Sequence, residues 1–389
     1  MAMNPLLAIS IPACLLMFGL SVLFPVLPFF IRDLGLTEGQ AGVLYSIYAA
    51  TSVLCSPFWG RFSQRHGRRP TLIIGLLGFS LGFGLFGLGQ TFPQLLAARV
   101  LGGLFAAAAL PAVFAYTADI SSLEKRSVAM GVVGAAIGIG IIAGPVVGGI
   151  VASSDLRLPF FGSAAIGLIG ATFVWLFLPE SRDGTAEPPA PIEGFRRSLI
   201  PYLIFAVLVT AARVGFETTI GFLVDDRFDF GPRETGYLLG IVGVFGVLVQ
   251  GGGLRALAKR YSDFSLMLSG TAMMTLGLLL LGLARQAHWL YASGAVLAVG
   301  YALATPTFTA LLSRAGDANQ GLAHGLSQSA QSLGRVLGPL MFNTLYHFFG
   351  GLTTYIAAAA LCGCGLLWAV VLIGPSLKRA SVDSTVRIP

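Results

Sequence analysis

The stretch 131–149, GVVGAAIGIGIIAGPVVGG, decides the architecture of this chain. Gly131, Gly140, Gly144, Pro145, Gly148 and Gly149 stand in it as G-x8-G-x3-GP-x2-GG. The front of the pattern returns in 325–339, GLSQSAQSLGRVLGP, as Gly325, Gly334, Gly338 and Pro339. The offset is about half of the 389 residues, so the chain reads as a duplication. Gly140, Gly144 and Gly148 recur every four residues and share one helix face. Small residues at that spacing let two helix backbones approach closely. Pro145 removes a backbone donor and invites a bend at the same place.

Working outward, the surroundings are as apolar as the glycine stretch. Hydrophobic residues make up 55% of the sequence and charged residues 11%, with a mean hydropathy of +0.82. A soluble domain carries about 25% charged residues, so the solvent implied here is a bilayer. A crossing needs roughly 20 mostly apolar residues. Twelve segments qualify, at approximately 5–30, 40–59, 71–91, 93–118, 127–152, 158–179, 199–224, 235–254, 264–284, 287–313, 321–347 and 351–374. The first is too long for a signal-peptide core and has no small-residue cleavage site, so it reads as retained. Cys14, Cys55, Cys362 and Cys364 all fall inside these segments and read as small apolar fillers.

A net charge of +7 would suit nucleic acid, but the placement of the charge argues against that partner. With both termini in the cytoplasm, sixteen of the 24 basic residues lie in inner loops or the tail. They include Arg61, Arg65, Arg68 and Arg69 in the first such loop. Five lie outside, at Arg32, Arg157, Arg227, Arg233 and Arg285. That asymmetry is the positive-inside rule and sets the orientation, in a cell (inner) membrane. The polar stretch ESRDGTAEPPAPIEGFRR, 180–197, separates the sixth and seventh segments and reads as a flexible linker. The expected fold is an all-α integral membrane protein, twelve helices in two pseudo-symmetric six-helix bundles. Its expected parts are a bundle at 1–180, a linker at 181–198, a bundle at 199–376 and a tail at 377–389. Half-repeats of this kind alternate access by rocking around a central site.

Three motifs then carry a family resemblance. The glycine stretch resembles the antiporter signature of the major facilitator superfamily, found in the fifth span of its drug exporters. Gly60-Arg-Phe-Ser-Gln-Arg-His-Gly67-Arg68-Arg69-Pro70 resembles the superfamily's loop signature. Gln64 departs from it, standing where the family usually has an aspartate that helps latch the two halves. The resemblance therefore implies gating by Gly60, Gln64, Arg65, Gly67, Arg68 and Arg69, leaning more on Arg68 with Asp119. Arg99, followed by Gly102, Gly103 and an alanine run, is similar to the third signature, whose arginine is implicated in proton coupling. The second half keeps the glycine pattern in degenerate form, with Phe342 and Asn343 in place of the final glycine pair.

Ionisable groups inside spans mark pathways. Arg213 and Glu217 are one helical turn apart, and Glu217 is the one carboxylate placed well inside a span. Burial favours a neutral carboxyl and a nearby arginine favours the charged form, so moving the arginine would switch a proton on or off. Glu217, with Arg213 and Arg99, is the expected coupling set. A permanent structural ion pair is the other reading of Arg213 and Glu217. His324, Gln328, Gln331 and Arg335 form a polar stripe that should face a wet cavity. Arg335 faces an acidic substrate group in one reading and pairs with Glu217 in another. Tyr45, Tyr48, Phe216 and Tyr301 are expected to line an apolar chamber.

The expected function is a secondary active transporter, a proton-coupled antiporter exporting drugs or other small amphipathic molecules and working as a monomer. Alternatives on the same fold are an exporter of anionic metabolites or siderophore-like compounds, and a nutrient symporter or facilitator. No cofactor is expected beyond the proton, and no metal site. The patterns HEXXH, GxSxG and GxxxxGK[ST] are absent, so an enzyme or an ATP-driven pump is not expected.

Overall fold

The computed structural model describes residues 4–122, 124–181, 197–315 and 320–375. These residues are helical almost throughout, with no strand among them. The helices run α1 (Pro5–Ser21), α2 (Leu23–Asp33), α3 (Glu38–His66), α4 (Arg68–Leu88), α5 (Phe92–Asp119), α6 (Arg126–Ala152) and α7 (Leu158–Phe177). They continue with α8 (Ile200–Phe228), α9 (Pro232–Leu248), α10 (Leu254–Ala258), α11 (Asp263–Leu283), α12 (Ala287–Ala315) and α13 (Gln320–Trp368). Most of the expected linker and the whole of the expected tail lie outside the described residues.

Local chemistry sets the ends of these helices. Thr37 and Gln40 form a reciprocal capping box at the start of α3. Gly67 divides α3 from α4 with φ 96°, a backbone conformation that glycine adopts without Cβ strain. Among the described residues, eleven helical segments are long and apolar enough to cross a membrane. The first joins α1 and α2, and the last spans 49 residues. A continuous helix of that length would measure about 70 Å, more than twice a hydrocarbon core. The segment is in fact two helices, divided at Gly350, where φ 72° interrupts the helical backbone. The break falls between the two expected segments 321–347 and 351–374.

The chain forms two compact units. The first holds Met1–Pro189 together with Ile220–Gly240, and the second holds Ala190–Thr219 and Ile241–Pro389. In the first unit the repeated glycine face of α6 lies against α1. Gly140 meets the backbone at Cys14 and Phe18, Gly144 meets Phe18 and Ser21, and Gly148 meets Val22. A methyl at any of these positions would collide with α1. Gly149 turns to another side and packs on Pro232 and Gly236 of α9, while Gly131 faces open space. Phe30, Phe86 and Phe160 form a buried aromatic cluster nearby.

The second unit uses the same device on different partners. Gly334 packs on Val207 and Ala211 of α8, and Gly338 packs on Ala211. Where the glycine pattern lapses, the contacts change character. The Phe342 ring fills the space left by Gly215, and Asn343 Nδ2 donates to Thr218 Oγ1 at 2.8 Å. The degenerate end of the repeat is thus a knob and a buried hydrogen bond, both locking α13 to α8.

Candidate functional site

The second unit contains a cleft between α8, α12 and α13, of about 440 Å³ counting its open part. The α8 wall is Phe205, Ala206, Val209, Thr210 and Arg213. Facing it are Tyr301, Ala304, Thr305 and Phe308 of α12, with Gln331 and Arg335 of α13. The helical repeat explains the α8 residues, since 205, 206, 209, 210 and 213 share one face.

Arg213 donates to Glu217 Oε1 one turn along α8. Its guanidinium also sits over the Tyr301 ring, 4.6 Å from the centroid. The two side chains remain 25% and 18% exposed, so the pair is not sealed in the core. Arg335 takes no part in it. It forms no ion pair among the described residues, and its one hydrogen bond there is a long one, 3.5 Å, to Ser332 Oγ. Of the two readings of Arg335, a direct ion pair with Glu217 is not formed among the described residues, although the two charges act on each other through space. Gln331 lines the cleft and donates from Nε2 to Ser327 Oγ at 3.1 Å. Gln328 is exposed and Phe216 is 2% exposed; neither is part of the lining.

Arg99, Tyr45 and Tyr48 belong to the first unit. Arg99 is 3% exposed on α5. Three rings surround its guanidinium, with centroids at 4.4 Å for Phe86, 5.3 Å for Phe83 and 5.4 Å for Tyr48. Its Nε and Nη2, and the Tyr48 hydroxyl, have no hydrogen-bond partner among the described residues. Each desolvated cation–π contact contributes up to about 2 kcal/mol. The rings stand where a carboxylate would be expected beside a buried charge.

Where α3 meets α4, Arg68 Nε donates to Asp119 Oδ2 at 2.9 Å, and Arg68 Nη1 donates to Ser63 Oγ at 3.0 Å. Gln64 makes no hydrogen bond among the described residues. Arg65 is exposed, and Gly60 has open space around it. An acid outside the loop signature meets the start of α4. Glu180 accepts from the backbone N–H groups of Arg68 at 2.8 Å and Arg69 at 3.1 Å. These are first-turn donors of α4, unsatisfied within the helix and facing its positive end. Arg69 also donates to the Trp175 carbonyl.

The opposite end of α3 carries a second cluster that sequence reasoning missed. Arg32 pairs with Glu38 at 2.9 Å, with Asp226 at 2.8 Å and with Asp225. The aspartates lie 193 and 194 residues away in sequence. Among the described residues no group of three His, Cys, Asp or Glu side chains is placed to hold a metal ion.

Comparison with known proteins bears on what this arrangement belongs to. The chain matches the Major Facilitator Superfamily over residues 9–339 and again over 256–386. It is 30% identical to Multidrug resistance protein 1 of Bacillus subtilis (strain 168), covering 93% of this chain and 95% of that protein. It is 26% identical to Quinolone resistance protein NorA of Staphylococcus aureus (strain COL), covering 95% of each. In fold it is similar to a bacterial homolog of the human lysosomal transporter Spinster, solved in an inward-facing and occupied conformation. The TM-score there is 0.83 at 15% identity, over 97% of this chain and 99% of that one. By sequence match across both halves and by fold, this chain belongs to the major facilitator superfamily.

Proposed function

We propose that the protein is a proton-coupled antiporter that crosses the cell membrane twelve times and exports drugs or other small amphipathic molecules. It is a multi-span transporter and not an enzyme, in keeping with its family and relatives. The twelve crossings follow from reading the segment broken at Gly350 as two. Both termini lie in the cytoplasm on the charge asymmetry of the loops. The drug-resistance names of its relatives support the class of cargo. The antiporter glycine face supports the direction of coupling, packed on α1 as a continuous backbone contact.

The observation that carries the reading is the Glu217–Arg213 pair on α8. Glu217 is an acid in a crossing helix, partly exposed, and hydrogen-bonded by Arg213, whose second support is the Tyr301 ring. A proton arriving on Glu217 removes the attraction to Arg213 and leaves that arginine on Tyr301 alone. The face of α8 then changes by one unit of charge, which an alternating-access cycle can read. Arg99 supplies a fixed positive field in the first unit, because no carboxylate neutralises it.

The test is transport of ethidium in proteoliposomes under an imposed pH gradient. Wild type should concentrate the dye against its gradient, and Glu217→Gln should only equilibrate it while remaining folded. Export by the mutant at the wild-type level under the same gradient would remove Glu217 from the coupling step.

A further inference from the structure

We infer that Arg335 is the anchor for the carboxylate of a zwitterionic aromatic amphiphile bound in the cleft between α8, α12 and α13; the inference rests on the antiport reading. Two cations line this cleft, and they are not equivalent. Arg213 has its charge met by Glu217 and its face covered by Tyr301. Arg335 has one long hydrogen bond, to its own neighbour Ser332, and an exposed side chain. A guanidinium offers five donors in a planar fork. In a membrane-crossing helix such a group is expensive unless it is wetted or paired. A carboxylate is the ligand chemistry that matches the fork with two parallel bonds.

The rest of the lining fits the body of such a ligand. Phe205 and Phe308 stand 5.2 Å apart, ring to ring, and with Val209 and Ala304 make an apolar wall. Thr210, Thr305 and Gln331 add polar groups. Aromatic walls with a few convergent polar groups are what a small-molecule pocket requires.

The sign of the coupling selects the zwitterion over the simple anion. Arg213, Glu217 and Arg335 sum to one positive charge. A proton on Glu217 raises that to two, which would hold a lone anion more tightly, the opposite of what exchange against protons needs. A lone cation gains nothing from Arg335. A ligand with its carboxylate on Arg335 and its ammonium toward Glu217 is loosened when the proton arrives. Glu217 stands one turn beyond Arg213, past the lining of the cleft, and among the described residues its hydrogen bond from Arg213 uses Oε1, so Oε2 remains to receive the ammonium.

The test uses three matched fluorescent probes. Nε-dansyl-L-lysine is a zwitterion, its methyl ester is a cation, and its Nα-acetyl derivative is an anion. Equilibrium binding to the purified protein should favour the zwitterion over both relatives by about tenfold, the scale of one charge-assisted pair. Arg335→Gln should erase the preference over the ester, while the ester, relieved of a repelling charge, binds at least as tightly as to wild type; an unchanged thermal melt in detergent shows that the variant is folded. Arg335→Lys should keep part of the preference, since the charge remains without the fork. Equal binding of zwitterion and ester by wild type, or an undiminished preference in Arg335→Gln, would overturn the anchor. Equal binding of zwitterion and acetylated anion would overturn the zwitterion assignment. Ethidium export under a pH gradient, measured on the same preparations, separates the two readings. If it proceeds while the probe preference fails, the substrate inference falls alone. If it fails while the preference holds, the antiport reading falls and the carboxylate anchor stands.

Discussion

Arg99 in α5 and Arg213 in α8 face the same problem, a permanent charge on a membrane-crossing helix, and the two units meet it with different chemistry. Around Arg99 stand Phe83, Phe86 and Tyr48, with no carboxylate in the cage. Beside Arg213 stand one ring and one carboxylate. The difference decides what each site can do. A ring offers the same quadrupole whatever the proton activity, so the Arg99 site is constant. A carboxylate can be neutralised, so the Arg213 site can change state. On the proposed antiport reading, the Glu217 site supplies the group that switches and the Arg99 site a charge that does not.

Removing the cation at each site should therefore have opposite effects on stability. Arg213→Met leaves Glu217 in the span without its partner and should cost about 3 kcal/mol, the low end for a broken buried pair because this one is partly exposed. Thermal unfolding in detergent should show the loss, and the double variant Arg213→Met with Glu217→Met should recover most of it. Arg99→Met removes a buried charge that has no ionic partner among the described residues; the desolvation cost it relieves offsets the three lost ring contacts, and apolar replacement should be neutral or stabilising by about 1 kcal/mol. The same melt checks it. A strongly destabilised Arg99→Met would mean that the cage depends on the cation, and the contrast between the units would fail. The smallest effect belongs to Tyr48→Phe. It keeps a ring under Arg99 and deletes a buried hydroxyl that has no hydrogen-bond partner, so stability should hold or rise by less than about 1 kcal/mol. A clear loss of stability would reveal a partner for that hydroxyl.

What could be read in the sequence was what depends on local spacing. The i, i+4 relation put Arg213 beside Glu217, and the four-residue glycine period put Gly140, Gly144 and Gly148 on one face. The stripe ending in Gln331 and Arg335 reaches the cleft for the same reason, although Gln328 does not line it. Relations that depend on which helix packs against which were out of reach. Nothing near Arg99 in sequence announces Phe83 and Phe86, which α4 supplies. Nothing near Arg32 announces Asp225 and Asp226, which come from the far end of α8. Glu180 has no place in the loop signature, and only the fold brings it onto the first turn of α4. Phe216 was a reasonable lining residue by type, but its side of α8 faces the core. The break at Gly350 shows the reverse case, a boundary clear in the hydropathy and nearly hidden in the backbone, where a single residue interrupts the helix.

Gly131 and Gly149 bracket the same helix and offer an experimenter opposite prospects. At Gly149 a side chain of any size would strike the Pro232 carbonyl, so a cysteine for spectroscopic labelling there would perturb what it is meant to watch. At Gly131 there is room, and a spin label or fluorophore could ride on α6 as a passenger. Distance measurements made from Gly131 would thus follow a helix whose other end admits no tag.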